Sequence, residues 1–175
     1  TNQQIQGDAV IASIANRFGV ETTWKENAVE IRKVSKPDFS VFDFDFLECP
    51  DLAQTVVAFC AALKIELHCK GLQTLRIKET DRIAALDTEL QKLGLASLVE
   101  LDSKNWQLIS NELNTQGIQL TPIHTYDDHR MAMAFAPLVL KLNELVIEDA
   151  NVVSKSYPLF WKDLEKLGFE ITTAI

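Results

Sequence analysis

The chain has 175 residues, 47% of them hydrophobic, and a formal net charge of −8. That length buries a sizeable core as one domain or two small ones. The acidic balance argues against a general nucleic-acid or anionic-membrane surface, so any anion site must be local.

In chain order, the first helical pattern ends at Phe18-Gly19-Val20. Phe42, Phe44 and Phe46 then alternate with Asp43 and Asp45, the period-2 signature of a half-buried strand. A helix opens near Pro50-Asp51, and its Leu52–Leu63 stretch is apolar on almost every face, as in helices buried on all sides. Cys49, Cys60 and Cys69 lie in such apolar stretches without the paired short spacings of a zinc site. They are expected to be reduced core thiols of a cytoplasmic protein, and no disulfide framework, metal or cofactor is expected.

Ile83, Leu86, Leu90 and Leu93 predict an amphipathic helix with Thr80 as N-cap and Gly94 at C′. A further helix follows Asp127-Asp128, and its Met131–Leu140 run is again apolar all round but too short to span a bilayer. No leader segment and no membrane partner are expected. Ser154 or Ser156 can cap the last helix, Pro158 suits its first turn, and Gly168 ends it before Phe169.

Gly19, Gly94 and Gly168 fall 75 and 74 residues apart, each closing a helical pattern before an apolar residue and a β-like segment. The repeat predicts an α/β (α+β) fold of three similar units, each reading strand, helix, two strands, helix, strand. The apolar helices are expected inside and the sheets outside, around a common axis. The first unit begins just before its first helix and the third stops at Ile175. Both are therefore expected to be incomplete, with the rest supplied by a larger parent protein or another copy.

Charge is concentrated at the helix entrances. Arg76-Ile77-Lys78-Glu79-Thr80-Asp81-Arg82 packs three cations and two carboxylates before a helix, where free N–H groups and the macrodipole favour an anion. Glu79 and Arg82 alone would be read as an intrahelical ion pair. Lys78 and Arg76 tilt the balance toward a ligand. Tyr126-Asp127-Asp128-His129-Arg130 places an arginine at the start of a buried helix, where it is costly unless paired, and Asp127 or Asp128 is the bland partner. Lys155 precedes the third glycine-terminated helix as Lys78 and Glu79 precede the second, which raises it above an ordinary surface lysine. Asp51 opens the other buried helix, where its bland role is to complement the dipole.

Three of these segments, Leu75–Arg82, Tyr126–Met133 and Ser154–Pro158, resemble signature segments of the 5-enolpyruvylshikimate-3-phosphate (EPSP) synthase family, in the family's order. Gln6-Gly7-Asp8 and Pro50-Asp51 resemble further family positions. The resemblance implies a fold of two domains, each of three related units, with this chain forming most of the C-terminal domain, 1–175, and the N-terminal domain being its missing partner. It implies transfer of the enolpyruvyl group of phosphoenolpyruvate to the 5-hydroxyl of shikimate 3-phosphate, with release of phosphate.

By position, Asp51 would be the base on the shikimate hydroxyl, with Lys78 beside that substrate. Glu79 would protonate the methylene carbon of phosphoenolpyruvate. Arg82 and Arg130 would hold its carboxylate, with His129 nearby and Lys155 on its phosphate. Residue chemistry agrees: arginine's fork suits a planar carboxylate, and a lysine point charge suits phosphate. A carboxyl among cations can donate a proton only if desolvation or substrate charge assists it. Thr74, where many family members carry asparagine, is given no role. A non-catalytic anion-binding module is the alternative. The related UDP-N-acetylglucosamine enolpyruvyl transferases rank lower, because they lack the Lys78–Arg82 pattern.

Overall fold

The computed structural model describes residues 7–111 and 121–173, so Gln6 and Ile175 lie outside the described residues. A single 3-10 turn at Gly7–Val10 leads into helix α1 (Ile11–Arg17), which is followed by an antiparallel pair, β1 (Val20–Trp24) and β2 (Val29–Lys33). Strand β3 (Val41–Asp45), helix α2 (Ala53–Leu63) and strand β4 (Glu66–Lys70) then form a crossover whose two strands are parallel. Helix α3 (Arg82–Lys92) precedes the hairpin β5 (Ala96–Asp102) and β6 (Asn105–Ser110). The four strands lie in the order β3-β4-β6-β5, with β6 antiparallel to both neighbours.

The mixed α/β class is as the pattern implies, but the strand order within the central unit differs. One strand, β4, and a 3-10 segment (Gln73–Ile77) lie between α2 and α3, and the strand pair comes after α3 rather than before it. The segment after β4 cannot lengthen into a second strand: Gly71 turns it at a φ of +83°, and residues 73–77 coil. Phe42 and Phe46 are buried while Asp43 and Asp45 face out, as the alternation requires.

Helices α2 and α4 (His129–Phe135) pack against each other, and α2 also lies against β4 and β6 of the sheet. Every α2 residue is buried except Thr55, Phe59 and Leu63, which form one uncovered stripe at four-residue spacing. The expected continuous helix through Leu140 is broken. After α4 a 3-10 turn, Ala136–Leu138, carries Pro137, which has no N–H to continue the ladder, and a short α5 (Val139–Leu142) follows. Leu140 is consequently exposed. Ile123 and Ile147 form a parallel bridge on either side of α4 and α5. A 3-10 segment, Ala150–Lys155, leads to α6 (Phe160–Lys166).

Two caps depart from the sequence reading. Asp81, not Thr80, caps α3, accepting from the N–H groups of Ile83 and Ala84 at 3.1 Å each. Neither Ser154 nor Ser156 caps α6, because the 3-10 turns run on to Lys155 and leave α6 to start at Phe160 without a side-chain cap. Gly19, Gly94 and Gly168 all follow helix ends at positive φ. Only Gly19 is also sterically fixed: a Cβ there would lie 2.3 Å from the Ser35 carbonyl oxygen. Residues 169–173 are not in a strand, so the β-segment expected after Gly168 does not form among the described residues. The three cysteines are buried, and none forms a disulfide among the described residues.

Candidate active site

The entrances of α2, α3 and α4 meet at one guanidinium. Arg82, the first residue of α3, is 1% exposed although it is among the largest side chains in the core. A buried arginine is tolerable only with full pairing, and Arg82 has three carboxylates. Its Nε donates to Asp128 Oδ2 at 2.6 Å, Nη1 donates to Asp51 Oδ1 at 2.8 Å, and Nη2 donates to Glu79 Oε2 at 2.7 Å. Asp128 is fully buried and does several jobs at once. It caps α4 by accepting from the Arg130 N–H at 2.9 Å and also accepts from Gln54 Nε2 of α2 at 3.3 Å.

Asp51 ties the other cations to the same point. Arg130 Nη2 donates to Asp51 Oδ2 and Arg130 Nη1 to the Asp51 backbone oxygen, both at 3.1 Å. Lys78 Nζ stands 3.6 Å from Asp51 Oδ1. The five residues Asp51, Lys78, Glu79, Arg82 and Arg130, up to 79 positions apart, thus form one contiguous cluster. His129 sits beside it at the start of α4, with a buried Nδ1 that has no hydrogen-bond partner among the described residues. Lys155 is joined at one remove: its Nζ donates to the Asp127 backbone oxygen at 2.8 Å and pairs with Asp127 Oδ1 at 2.7 Å.

The cations at the α3 entrance are therefore matched by the protein's own carboxylates rather than standing in excess. Arg76 pairs with Asp81 at 3.3 Å and with Glu100, which makes both Arg76 and Asp81 structural. Accessibility separates the members of the cluster. The Arg82 side chain is 2% exposed, whereas Arg130, Lys78 and Glu79 are 25%, 36% and 45% exposed and can meet a ligand directly. No group of three or more His, Cys, Asp or Glu among the described residues could hold a metal ion.

Two buried residues organise the cluster, and the sequence points to one of them only in part. Gln54 was hidden in an apolar helix, and nothing local distinguishes it from a chance polar residue. From the sequence, Asp128 is no more than one of two candidate partners for Arg130. Its main partner is Arg82, 46 residues away.

Residues 1–164 match the sequence model of the family EPSP synthase (3-phosphoshikimate 1-carboxyvinyltransferase). A 3-phosphoshikimate 1-carboxyvinyltransferase of Bacteroides fragilis is 45% identical over 95% of this chain, and one of Clostridium kluyveri is 39% identical over 95%. The chain spans only 40% and 37% of the lengths of those two relatives. In three dimensions it is similar to the solved structure of EPSP synthase from Acinetobacter baumannii, with a TM-score of 0.66 at 18% identity, over 88% of this chain and 37% of that one.

Proposed function

Because the chain belongs to the EPSP synthase (3-phosphoshikimate 1-carboxyvinyltransferase) family, we propose that it is most of the C-terminal domain of such an enzyme. In this reading it supplies one wall of a site that transfers the enolpyruvyl group from phosphoenolpyruvate to the 5-hydroxyl of shikimate 3-phosphate. The other wall comes from an N-terminal domain of the same protein, and the enzyme works in the cytoplasm. The observation that carries the proposal is the sharing of one buried guanidinium by Asp51 and Glu79, the two groups the chemistry needs for moving protons.

The reaction balances through these two groups. Asp51 takes the proton of the 5-hydroxyl as its oxygen bonds to C2 of phosphoenolpyruvate, while Glu79 gives a proton to the methylene carbon, C3. Glu79, now a carboxylate, takes a proton back from C3 as phosphate departs from C2, Asp51 gives up its proton to the departing phosphate, and the enol ether is left. Hydrogen bonds from Arg82, at 2.8 Å to Asp51 and 2.7 Å to Glu79, fix both carboxylates in place, and a positioned acid and base are what these proton transfers call for. Fixed cations stabilise the charge that moves toward the leaving phosphate, and such preorganised charge needs no reorganisation as the reaction proceeds.

Ligand roles follow accessibility. Arg130 and His129 meet the carboxylate of phosphoenolpyruvate first, Lys155 its phosphate, and Lys78 the shikimate side. Arg82 is reached when that carboxylate takes the place of Glu79 at Nη2. The exchange keeps the buried charge paired and releases Glu79 to carry its proton. Phosphate release by the full-length protein that contains this chain tests the reading. Release is expected only with both substrates present, and Glu79→Gln should lower turnover by about 100-fold or more. Release that does not depend on shikimate 3-phosphate would overturn the assigned reaction, and an undiminished Glu79→Gln rate would overturn the role of that residue.

A further inference from the structure

Glu89 lies outside the site yet is fully buried, in the middle of α3 and on the core-facing side with Leu86 and Leu90. A buried carboxylate needs partners, and the three it has among the described residues belong to, or reach, the segment leading into α4. Its Oε1 accepts from the Tyr126 hydroxyl at 2.7 Å, and its Oε2 accepts from Lys92 Nζ at 2.7 Å and from the His124 N–H at 3.3 Å. Lys92 Nζ donates onward to the Pro122 carbonyl oxygen at 2.9 Å. Burial and the hydrogen bond to Glu89 push the Tyr126 phenol up to about 12, which keeps it a donor at neutral pH.

What this network grips is a strained turn. Tyr126 and Asp127 both have a φ of +56°, and the Asp128 N–H donates to the Thr125 carbonyl oxygen at 2.9 Å across them. Two consecutive left-handed residues without glycine are disfavoured, and such a conformation persists only where its surroundings over-determine it. The turn is also where the site's geometry is set. Asp128, His129 and Arg130 follow it directly, and the Asp127 carbonyl holds Lys155. Helix α3 grips it at two points, Arg82 on Asp128 at its start and Glu89 on Tyr126 two turns later, about 10 Å along the axis.

We infer that the Glu89–Tyr126 pair is a positioning clamp: it holds the left-handed Tyr126-Asp127 turn and thereby aims Asp128, His129, Arg130 and Lys155 at the ligand. As a statement about the phosphoenolpyruvate side of the site, this rests on the proposed function. As a statement about the turn, it does not.

Tyr126→Phe removes the hydroxyl and keeps the ring, so it tests the clamp with little risk to folding. In the chain itself, amide hydrogen exchange at Asp128 and Arg130 should quicken roughly tenfold, the effect of losing one net hydrogen bond, while the Ala61 and Leu86 amides stay unchanged. Unchanged exchange at Asp128 and Arg130 would overturn the clamp, as would an equal acceleration at all four positions. In the full-length protein, the KM for phosphoenolpyruvate should rise about tenfold, with the KM for shikimate 3-phosphate within about twofold of wild type. Equal changes in both would overturn the positioning role. If wild type shows no turnover, the proposed reaction fails while the exchange result still decides the clamp.

Discussion

Asp128→Asn puts the buried charge cluster under the sharpest strain. Asparagine can keep the cap of α4, since its Oδ1 can still accept from the Arg130 N–H at the 2.9 Å position and it caps as well as aspartate. What it cannot keep is the other oxygen. That atom now accepts from Arg82 Nε at 2.6 Å and Gln54 Nε2 at 3.3 Å, and an amide NH2 there would face two donors. Removing one partner of a buried ion pair costs about 3–5 kcal/mol. Arg82 retains Asp51 and Glu79, so the lower end, about 3 kcal/mol, is expected. For a chain of this size that corresponds to a fall in Tm of roughly 6–12 °C. Urea and thermal unfolding followed by circular dichroism measure it, with Asp127→Asn as control. Asp127 is 83% exposed and pairs with the half-exposed Lys155, so its loss should cost at most about 1 kcal/mol. An Asp128→Asn variant within about 1 kcal/mol of wild type, or one no worse than Asp127→Asn, would refute the claim that Arg82 depends on this carboxylate.

The hydrogen bond to Glu66, helped by Asp43, raises the pKa of His68 above its ordinary value. Its contribution to stability is therefore complete below pH about 6.5 and lost as pH rises through the folded value. Since the side chain is 44% exposed, solvent screening keeps the effect small, and His68→Gln should flatten that decline in urea midpoints measured across the neutral range. Burial pushes the Cys60 and Cys69 thiols up to about 12, so a disulfide reagent at pH 8 should label neither in the native chain and both in urea. Gly19→Ala should destabilise well beyond Gly94→Ala, because a Cβ at Gly19 meets Ser35 at 2.3 Å and one at Gly94 meets nothing within 4 Å. Both carry a positive-φ penalty of roughly 1–2 kcal/mol, and equal losses in unfolding free energy would contradict the steric account. Calorimetry on this chain alone should show only weak binding of shikimate 3-phosphate, since the proposed site has its other wall elsewhere; micromolar affinity would contradict that division.

Local chemistry made part of this legible in the sequence. The alternation at Phe42–Phe46, the C′ glycines and the apolar α2 and α4 depend on neighbours one to four residues away, which periodicity reports. The charged entrances were recognisable as unusual, and the structure brings Asp51, Lys78, Glu79, Arg82 and Arg130 together. What spacing could not supply was who pairs with whom. Arg82 looks like an exposed first-turn arginine until Asp128 and Asp51 arrive from other elements to bury it. Glu89 did carry a signal, a charge seven residues after Arg82 within an apolar stripe, though its partners lie on another segment. The Asp81 cap was missed by one residue, because Thr80 and Asp81 both suit the position and only backbone geometry chooses. The break at Pro137 could have been read from the proline itself.

Turnover of the full-length protein in deuterium oxide tests most directly the proposed role of Glu79, protonation of C3 of phosphoenolpyruvate. With wild type, proton nuclear magnetic resonance should find deuterium in the vinyl group of the product, carried in through the exchangeable carboxyl. Glu79→Gln should lose both the label and the turnover. Deuterium entering C3 at the wild-type rate in that variant would contradict the account.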